Sequence, residues 1–467
     1  MSPFHLIIDG RRVAGDGLID VVNPATEEVL VAAPRASRAQ LEQAVAAART
    51  AFPAWAATPI AERRAALLRL ADAVSAQVDD LARWLSLEQG KPLAHARFEI
   101  ESFVGALRAL PDNPFPPKII EDSARRTVEL HRRPLGVVAA IVPWNFPISL
   151  LGFKLPLALL AGNTMVIKPA PTTPLTTLKI GELCLKTLPP GVVNVVVDAN
   201  DLGAELTRHP DIRKISFTGS TETGRKIMAA ASDTLKRLTL ELGGNDPAIV
   251  LDDVDPLVVA PRIFGGAFMN SGQVCAAIKR LYVHDSVYDA LCDALVGLAN
   301  AAIVGDGLSE GVQFGPLQNR AQFDKVNALI DEAGKIGTVI AGGAASGGKG
   351  YFIRPTLVRD ITDGARLVDE EQFGPVLPII RYTDLDEVIA RANASPFGLG
   401  ASIWSSDPQR AARLAPRIEA GTVWINQHPD FGPHIPFGGA KQSGVGVEMG
   451  EEGLNEFTQL QVVNLAH

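Results

Sequence analysis

Cysteine is scarce in this chain. Cys184, Cys275 and Cys292 are the three among 467 residues, an odd number with no Cys-x-x-Cys pair. That argues against a disulfide framework and for a reducing compartment, here taken as the cytoplasm. Histidine is also sparse, with eight residues and neither an HxxxH pair nor a Cys/His cluster, so a protein-held metal is not expected. Excess positive charge is missing: the net charge is −8, which removes the electrostatic reason to expect nucleic acid or an anionic membrane surface. The start, Met1 to Gly10, lacks the basic-then-apolar order of a signal peptide. A clean membrane-length run is missing too. Leu135 to Phe153 spans 19 residues without a charge, but Pro143, Trp144, Asn145 and Pro147 interrupt it. Two prolines and an amide at its centre predict a buried strand, a loop and an apolar helix instead of a membrane span.

What is present is ample apolar material: 47 % of residues are hydrophobic. A single core rarely grows past about 250–300 residues, so the length predicts more than one domain. Leu6–Asp9 and Gly17–Asn23 read as short strands, and 38–52 and 60–89 as alanine-rich helices, the second stopped by Gly90-Lys91-Pro92. Residues 125–131 alternate polar and apolar as a two-sided strand, and 457–464 are strand-like again. Between Gly136 and Asp252 the chain repeats strand, turn, helix, with apolar strands at 136–142, 164–167, 192–197 and 214–217. Apolar strands separated by helices imply a parallel sheet covered on both faces, a doubly wound nucleotide-binding architecture. A second α/β set follows, with strands at 282–283, 337–341, 356–358, 376–380 and 422–426.

Six loops carry candidate chemistry. Cys275 lies in Asn270-Ser271-Gly272-Gln273-Val274-Cys275, and Glu241 lies 34 residues upstream in Glu241-Leu242-Gly243-Gly244. A thiol and a carboxylate in glycine-flanked loops suit a nucleophile and a base, although a lone cysteine is also a common small core residue. Asn145, between Pro143 and Pro147, suits a fixed oxyanion donor or an amide satisfying its own turn. Lys168 ends the 164–167 strand, where parallel sheets bind ligands; the alternative is a solvated surface lysine. Gly219, Ser220 and Gly224 mark a strand-turn-helix that suits a pyrophosphate or an ordinary helix cap, with spacing outside GxGxxG. Glu370-Glu371-Gln372-Phe373 suits a ribose grip or a charged turn.

Together, in this order, these motifs resemble the aldehyde dehydrogenase superfamily from Asn23-Pro24-Ala25-Thr26 to Pro436–Gly444. The resemblance implies Cys275 as nucleophile, Glu241 as general base and Asn145 as oxyanion donor. It implies cofactor contacts at Ile141, Pro143, Trp144, Lys168, Gly219, Ser220, Gly224, Leu242, Glu371 and Phe373. It implies a substrate tunnel at Phe146, Phe153, Val274, Ala276, His428 and Phe431, which suggests an apolar or aromatic aldehyde. The tunnel segments offer no arginine fork for a substrate carboxylate, and His428 can equally serve the backbone. The implied product is a free acid formed through a thiohemiacetal and a thioester. The alternatives are a coenzyme A-acylating or a semialdehyde dehydrogenase; Glu241 argues against the acylating type. Pro171 stands where many NAD-preferring relatives carry a ribose-binding Glu, so both NAD and NADP are expected, without strong exclusion of NADP. The resemblance also implies a cofactor domain at 1–114 and 133–242, a catalytic domain at 243–445, and oligomerisation strands and tail at 115–132 and 446–467. A homodimer or homotetramer follows from those strands.

Overall fold

The computed structural model describes residues 3–345 and 348–467. Met1 and Ser2 of the opening segment, and Ser346 and Gly347 of the expected catalytic domain, lie outside them. Two large sheets organise the α/β fold. The first runs, edge to edge, through Arg11–Val13, Leu6–Ile8, Val193–Val195, Thr164–Lys168, Val137–Ile141, Ile212–Thr218, Arg237–Glu241 and Gly444–Val445. Its five central strands are parallel, and the flanking pairs at both ends are antiparallel. Chain order reverses between Val137–Ile141 and Ile212–Thr218, so a ligand crevice is expected beyond their carboxyl ends.

The second sheet runs through Thr338–Ala341, Thr356–Arg359, Val376–Tyr382, Ile278–His284, Asp246–Val250, Gly400–Trp404 and Thr422–Ile425. Side-chain alternation sends its residues to two cores. Ala248, Val250, Leu281, Val283, Leu377 and Ile379 pack on one face. Ile249, Tyr282, Val376 and Ile380 pack on the other. Burial on both faces is why these strands read as unbroken apolar runs. Each buried aliphatic side chain contributes about 1.5–3 kcal/mol.

Several elements differ from the sequence expectation. The 60–89 helix is two, Ile60–Ser75 and Val78–Gln89, joined at Ala76-Gln77. That joint carries neither Gly nor Pro, so periodicity does not reveal it. The strands Arg11–Val13, Glu28–Arg35, Lys118–Asp122, Asp246–Val250 and Gly400–Trp404 and the helix Leu93–Arg108 were not anticipated. Asp246-Pro247 and Gly400-Ala401-Ser402 lack β-branched residues and hide two interior strands of the second sheet. The uncharged 135–153 run resolves into the buried strand Val137–Ile141, a loop and the helix Pro147–Gly152. Among the described residues no helix is long and apolar enough to cross a membrane. A three-stranded sheet, Lys118–Asp122, Arg126–Pro134 and Thr458–Ala466, completes the fold.

Candidate active site

Four residues, Leu242 to Asn245, carry the chain from the strand Arg237–Glu241 of the first sheet to the strand Asp246–Val250 of the second. Their glycines permit close approach. A Cβ on Gly244 would lie 2.6 Å from the Cys275 carbonyl oxygen, and one on Gly243 would lie 2.6 Å from Glu371 Oε2. The Glu241 loop, the Cys275 loop and the Glu371 turn therefore converge between the two sheets.

The approach to Cys275 is a strained turn. Asn270, Ser271 and Gly272 adopt φ of 51°, 55° and 71°, left-handed values that cost non-glycine residues about 1–2 kcal/mol each. Hydrogen bonds hold the turn there. Asn270 Nδ2 donates to the Asn145 carbonyl at 3.1 Å, and Ser271 Oγ to the Gly315 carbonyl at 2.7 Å. Gln273 Nε2 donates to the Asn270 carbonyl at 2.9 Å, and Gln318 N–H to Gln273 Oε1 at 2.9 Å. Cys275 remains partly exposed at the end of this clamped turn, whereas Cys184 and Cys292 are buried. Burial of its surroundings pushes the Cys275 thiol up to about 12; Lys279 opposes the shift, and Glu241, Glu371 and Asp246 add to it.

Glu241 is 3 % exposed and neither carboxylate oxygen has a hydrogen-bond partner among the described residues. Burial raises its pKa well above the ordinary carboxylate range, Glu448 raises it further, and Lys154 opposes. Asn145 is buried, and its Nδ2 donates to the Gln273 carbonyl at 2.9 Å. One amide hydrogen is thereby engaged, which leaves the second for another acceptor. The sequence placed these three residues on separate loops; the structure gathers those loops at the Cys275 turn.

Three ion pairs around them, two fully buried and one part-buried, escaped the sequence reading. Lys91 pairs with Glu99 and donates to the Asn145 carbonyl at 2.9 Å. Glu99 accepts from Ile148 N–H at 2.8 Å and Ser149 N–H at 3.1 Å, which fixes the helix after Pro147. Lys154 pairs with Glu448 and donates to Thr218 Oγ1 at 2.7 Å. Lys279 donates to the Cys275 carbonyl, to the Gly244 carbonyl at 3.0 Å and to Glu371 Oε1 at 3.2 Å, tying three loops together. Lys154 left a trace in the sequence, as the first charge after a long uncharged run; Lys91 was absorbed into a helix-stop signal.

The cofactor candidates follow the sheet's carboxyl edge. Strand register sets Ile141 beside both Lys168 and Phe217, and Thr218 beside Glu241. Pro143 and Trp144 continue from that edge, and Trp144 meets Phe373 edge-on with ring centroids 5.4 Å apart. Ser220 caps the helix Thr221–Ala231, its Oγ accepting from Thr223 N–H at 3.3 Å. Gly224 serves packing: a Cβ there would lie 2.5 Å from Leu242 Cδ2. Lys168 is not a solvated surface residue; it is 6 % exposed and its Nζ lies 2.7 Å from Asp198 Oδ1. The acidic pair divides its work. Glu370 binds Arg366, while Glu371 Oε1 accepts from Gly244 N–H at 3.0 Å and from Lys279.

A third group of residues forms an apolar wall beside the thiol. Cys275 and Phe153 pack against Ala276, Leu399, Trp424, Phe437 and Met449. Phe431 meets Phe437 at 4.9 Å and Trp424 at 5.9 Å, both edge-on, and lies tilted against Phe153 at 6.5 Å. Val274 is buried beside them in sequence. His428 is also buried; its Nε2 meets the Ala276 carbonyl at 3.0 Å, and burial drops its pKa to about 3. The imidazole is therefore neutral and engaged with backbone. Phe146 lays its ring over the Lys91 ammonium, 3.8 Å from the ring centroid.

The sequence profile of the aldehyde dehydrogenase family matches residues 12–463. The chain belongs to the aldehyde dehydrogenase family. It is similar to the phenylacetaldehyde dehydrogenase of Pseudomonas fluorescens, with 39 % identity over 100 % of this chain and 96 % of that protein. Among solved structures it resembles the NAD+ complex of a Bacillus cereus aldehyde dehydrogenase, with TM-score 0.96 and 37 % identity, covering 99 % of this chain and 96 % of that one. It also resembles an NADP-dependent enzyme of E. coli, with TM-score 0.97 and 37 % identity, covering 100 % and 98 %. This aldehyde dehydrogenase is accordingly an oxidoreductase that acts on aldehydes. Its edge residues fit a dinucleotide. The helix at Thr221 offers first-turn amides to a pyrophosphate, and the carboxylate of Glu371 is already oriented by a backbone N–H and an ammonium.

Proposed function

We propose that this enzyme oxidises apolar or aromatic aldehydes to carboxylic acids, with NAD or NADP as hydride acceptor and water as the final acyl acceptor. One observation carries the reading: Glu241 is a buried, proton-avid carboxylate with no hydrogen-bond partner among the described residues, within electrostatic reach of the Cys275 thiol. A thiol near 12 is ionised about once in 10⁵ at neutral pH. Attack therefore needs a proton acceptor, and Glu241 is suited to it. Cys275 Sγ adds to the aldehyde carbon, and the second Asn145 amide hydrogen and the Cys275 N–H stabilise the resulting oxyanion. A bound nicotinamide would supply the hydride acceptor; with the hydride gone from this carbon, the carbonyl reforms as a thioester on Cys275. Glu241, having released the thiol's proton to solvent, then takes a proton from water as that water attacks the thioester, and it returns this proton to the departing sulfur, so the acid leaves with the thiol restored.

Cofactor binding is assigned to Lys168, the Gly219–Thr221 turn, Glu371 and the Trp144–Phe373 pair. The solved relatives with NAD+ and with NADP dependence support the pair of alternatives. The oxyanion role makes a separate prediction. Asn145→Ala lowers kcat/KM about 10²–10³-fold while leaving cofactor affinity unchanged, as measured by steady-state kinetics and calorimetry.

The aromatic wall of Phe153, Trp424, Phe431 and Phe437 supports the substrate class, as does the similarity to a phenylacetaldehyde dehydrogenase. Burying a phenyl group stabilises by about 1.5–3 kcal/mol. Phenylacetaldehyde should therefore exceed acetaldehyde in kcat/KM by about 10–100-fold. A panel of aldehydes assayed with NAD and NADP, with and without coenzyme A, tests the reading. Free acid formed at the same rate with or without coenzyme A is expected. Acyl-coenzyme A, or a preference for acidic semialdehydes, would favour the alternatives.

We assign 1–114 and 133–242 to the cofactor domain, 243–445 to the catalytic domain, and 115–132 with 446–467 to oligomerisation. Thr458–Ala466 is an edge strand exposed along its length after Thr458, with Leu460, Val462 and Leu465 each more than half exposed. A long apolar edge suits pairing with another copy. Light scattering should give twice or four times the chain mass; a single-chain mass at micromolar concentration would contradict it. Three free cysteines, one of them partly exposed, suit the reducing cytoplasm.

A further inference from the structure

The loop that follows Val193–Val195 returns a carboxylate to the corner where Pro171 removes one. Val195 pairs with Ile167, one residue before Lys168, so the two strand ends lie side by side. Asp198 is 1 % exposed. Its Oδ1 lies 2.7 Å from Lys168 Nζ, and its Oδ2 accepts from Leu202 N–H at 2.9 Å. The next cation and anion along this corner are also paired: Arg35 Nη2 lies 2.5 Å from Asp201 Oδ2, and Asp201 Oδ1 accepts from Ala199 N–H at 3.0 Å. Ala36 N–H donates to the Val197 carbonyl at 2.7 Å, which holds Arg35 next to the loop.

We infer that Asp198 is a specificity-determining residue, the acceptor for the adenosine-ribose 2′-hydroxyl, and that it makes the enzyme prefer NAD to NADP. A carboxylate at the end of such a strand reads the 2′-hydroxyl in doubly wound folds, whereas a free arginine accommodates a 2′-phosphate. Asp198 has the chemistry for the first. Each carboxylate oxygen retains a lone pair after meeting Lys168 and Leu202. The corner lacks the chemistry for the second. Lys168 and Arg35 are both committed to carboxylates, and an added phosphate of about −2 charge would face Asp198 at close range. The Pro171 substitution alone predicts indifference between the cofactors; Asp198 reverses that prediction.

The inference rests on the cofactor reading above, and binding measurements without aldehyde separate the two. Titration calorimetry of the wild-type protein with NAD+ and with NADP+, in phosphate-free buffer, should give at least about tenfold tighter binding of NAD+. Asp198→Asn keeps an oxygen for Leu202 N–H but removes the charge. It should shift the NADP+/NAD+ affinity ratio toward NADP+ by at least about tenfold with the melting temperature retained. Asp198→Gly provides a second variant should the amide disturb Lys168, and the same shift is expected. Equal wild-type affinities, or variants that weaken both cofactors alike, would overturn the role of Asp198 and leave the cofactor site standing. Failure of the wild type to bind either cofactor would overturn the cofactor reading and this inference with it.

Discussion

Cys275→Ser abolishes dehydrogenase turnover, lowering kcat by at least about 10⁴-fold, while NAD+ affinity stays within about twofold of wild type. The two readouts differ because Cys275 is assigned to bond formation and the cofactor residues to the neighbouring edge. An alcohol is a weaker acid than a thiol and a poorer leaving group from the acyl intermediate. The site already resists ionising the thiol, since burial and three carboxylates push it up to about 12. An alcohol in the same place has no accessible anion. Cofactor reduction followed by absorbance, paired with calorimetry, checks both halves. Turnover at more than a hundredth of the wild-type rate would remove Cys275 as nucleophile.

Glu241→Gln slows turnover by about 10²–10⁴-fold, and through one step more than the other. The amide keeps the shape of the side chain but cannot accept a proton from water. In the variant the thiol can still lose its proton to solvent, whereas water attack on the thioester has lost its base, so rapid mixing shows a burst of reduced cofactor followed by a slow steady state. The pH profile carries the same information with a definite sign. A general base works in its deprotonated form, so activity is present above its pKa and lost as pH falls through it. Burial raises the Glu241 pKa, so the acid limb lies above the ordinary carboxylate range. In Glu241→Gln that limb should vanish from the residual rate. A retained limb would assign it to another group, and full turnover would remove the base assignment.

Much of the fold was legible because both faces of its main strands are covered. Val137–Ile141 and Thr164–Lys168 are apolar on both faces for a physical reason, and the reason shows in the letters. Asp246–Val250 is equally central but opens with Asp-Pro, so it was invisible. The Ala76-Gln77 joint was invisible because a helix can be redirected without a breaker. At the site, the loops of Asn145, Glu241 and Cys275 were legible because Pro143 and Pro147 bracket the first, Gly243-Gly244 follow the second and Gly272 precedes the third. Their supports were not. Lys91 finds Glu99 eight residues on, but Lys279 finds Glu371 across 92 residues and Lys154 finds Glu448 across 294. A buried charge and its distant partner carry no local pattern, so single-chain reading sees a lysine and not the pair. Asp198 is the same case at the cofactor edge: its meaning came from lying against Lys168.

The covalent step gives the most direct test. Glu241→Gln mixed with phenylacetaldehyde and NAD+ and quenched in acid should gain the mass of one phenylacetyl group, mapped by peptide mass to the fragment containing Cys275. Unmodified Cys275 in a protein that still reduces NAD+ would contradict the account.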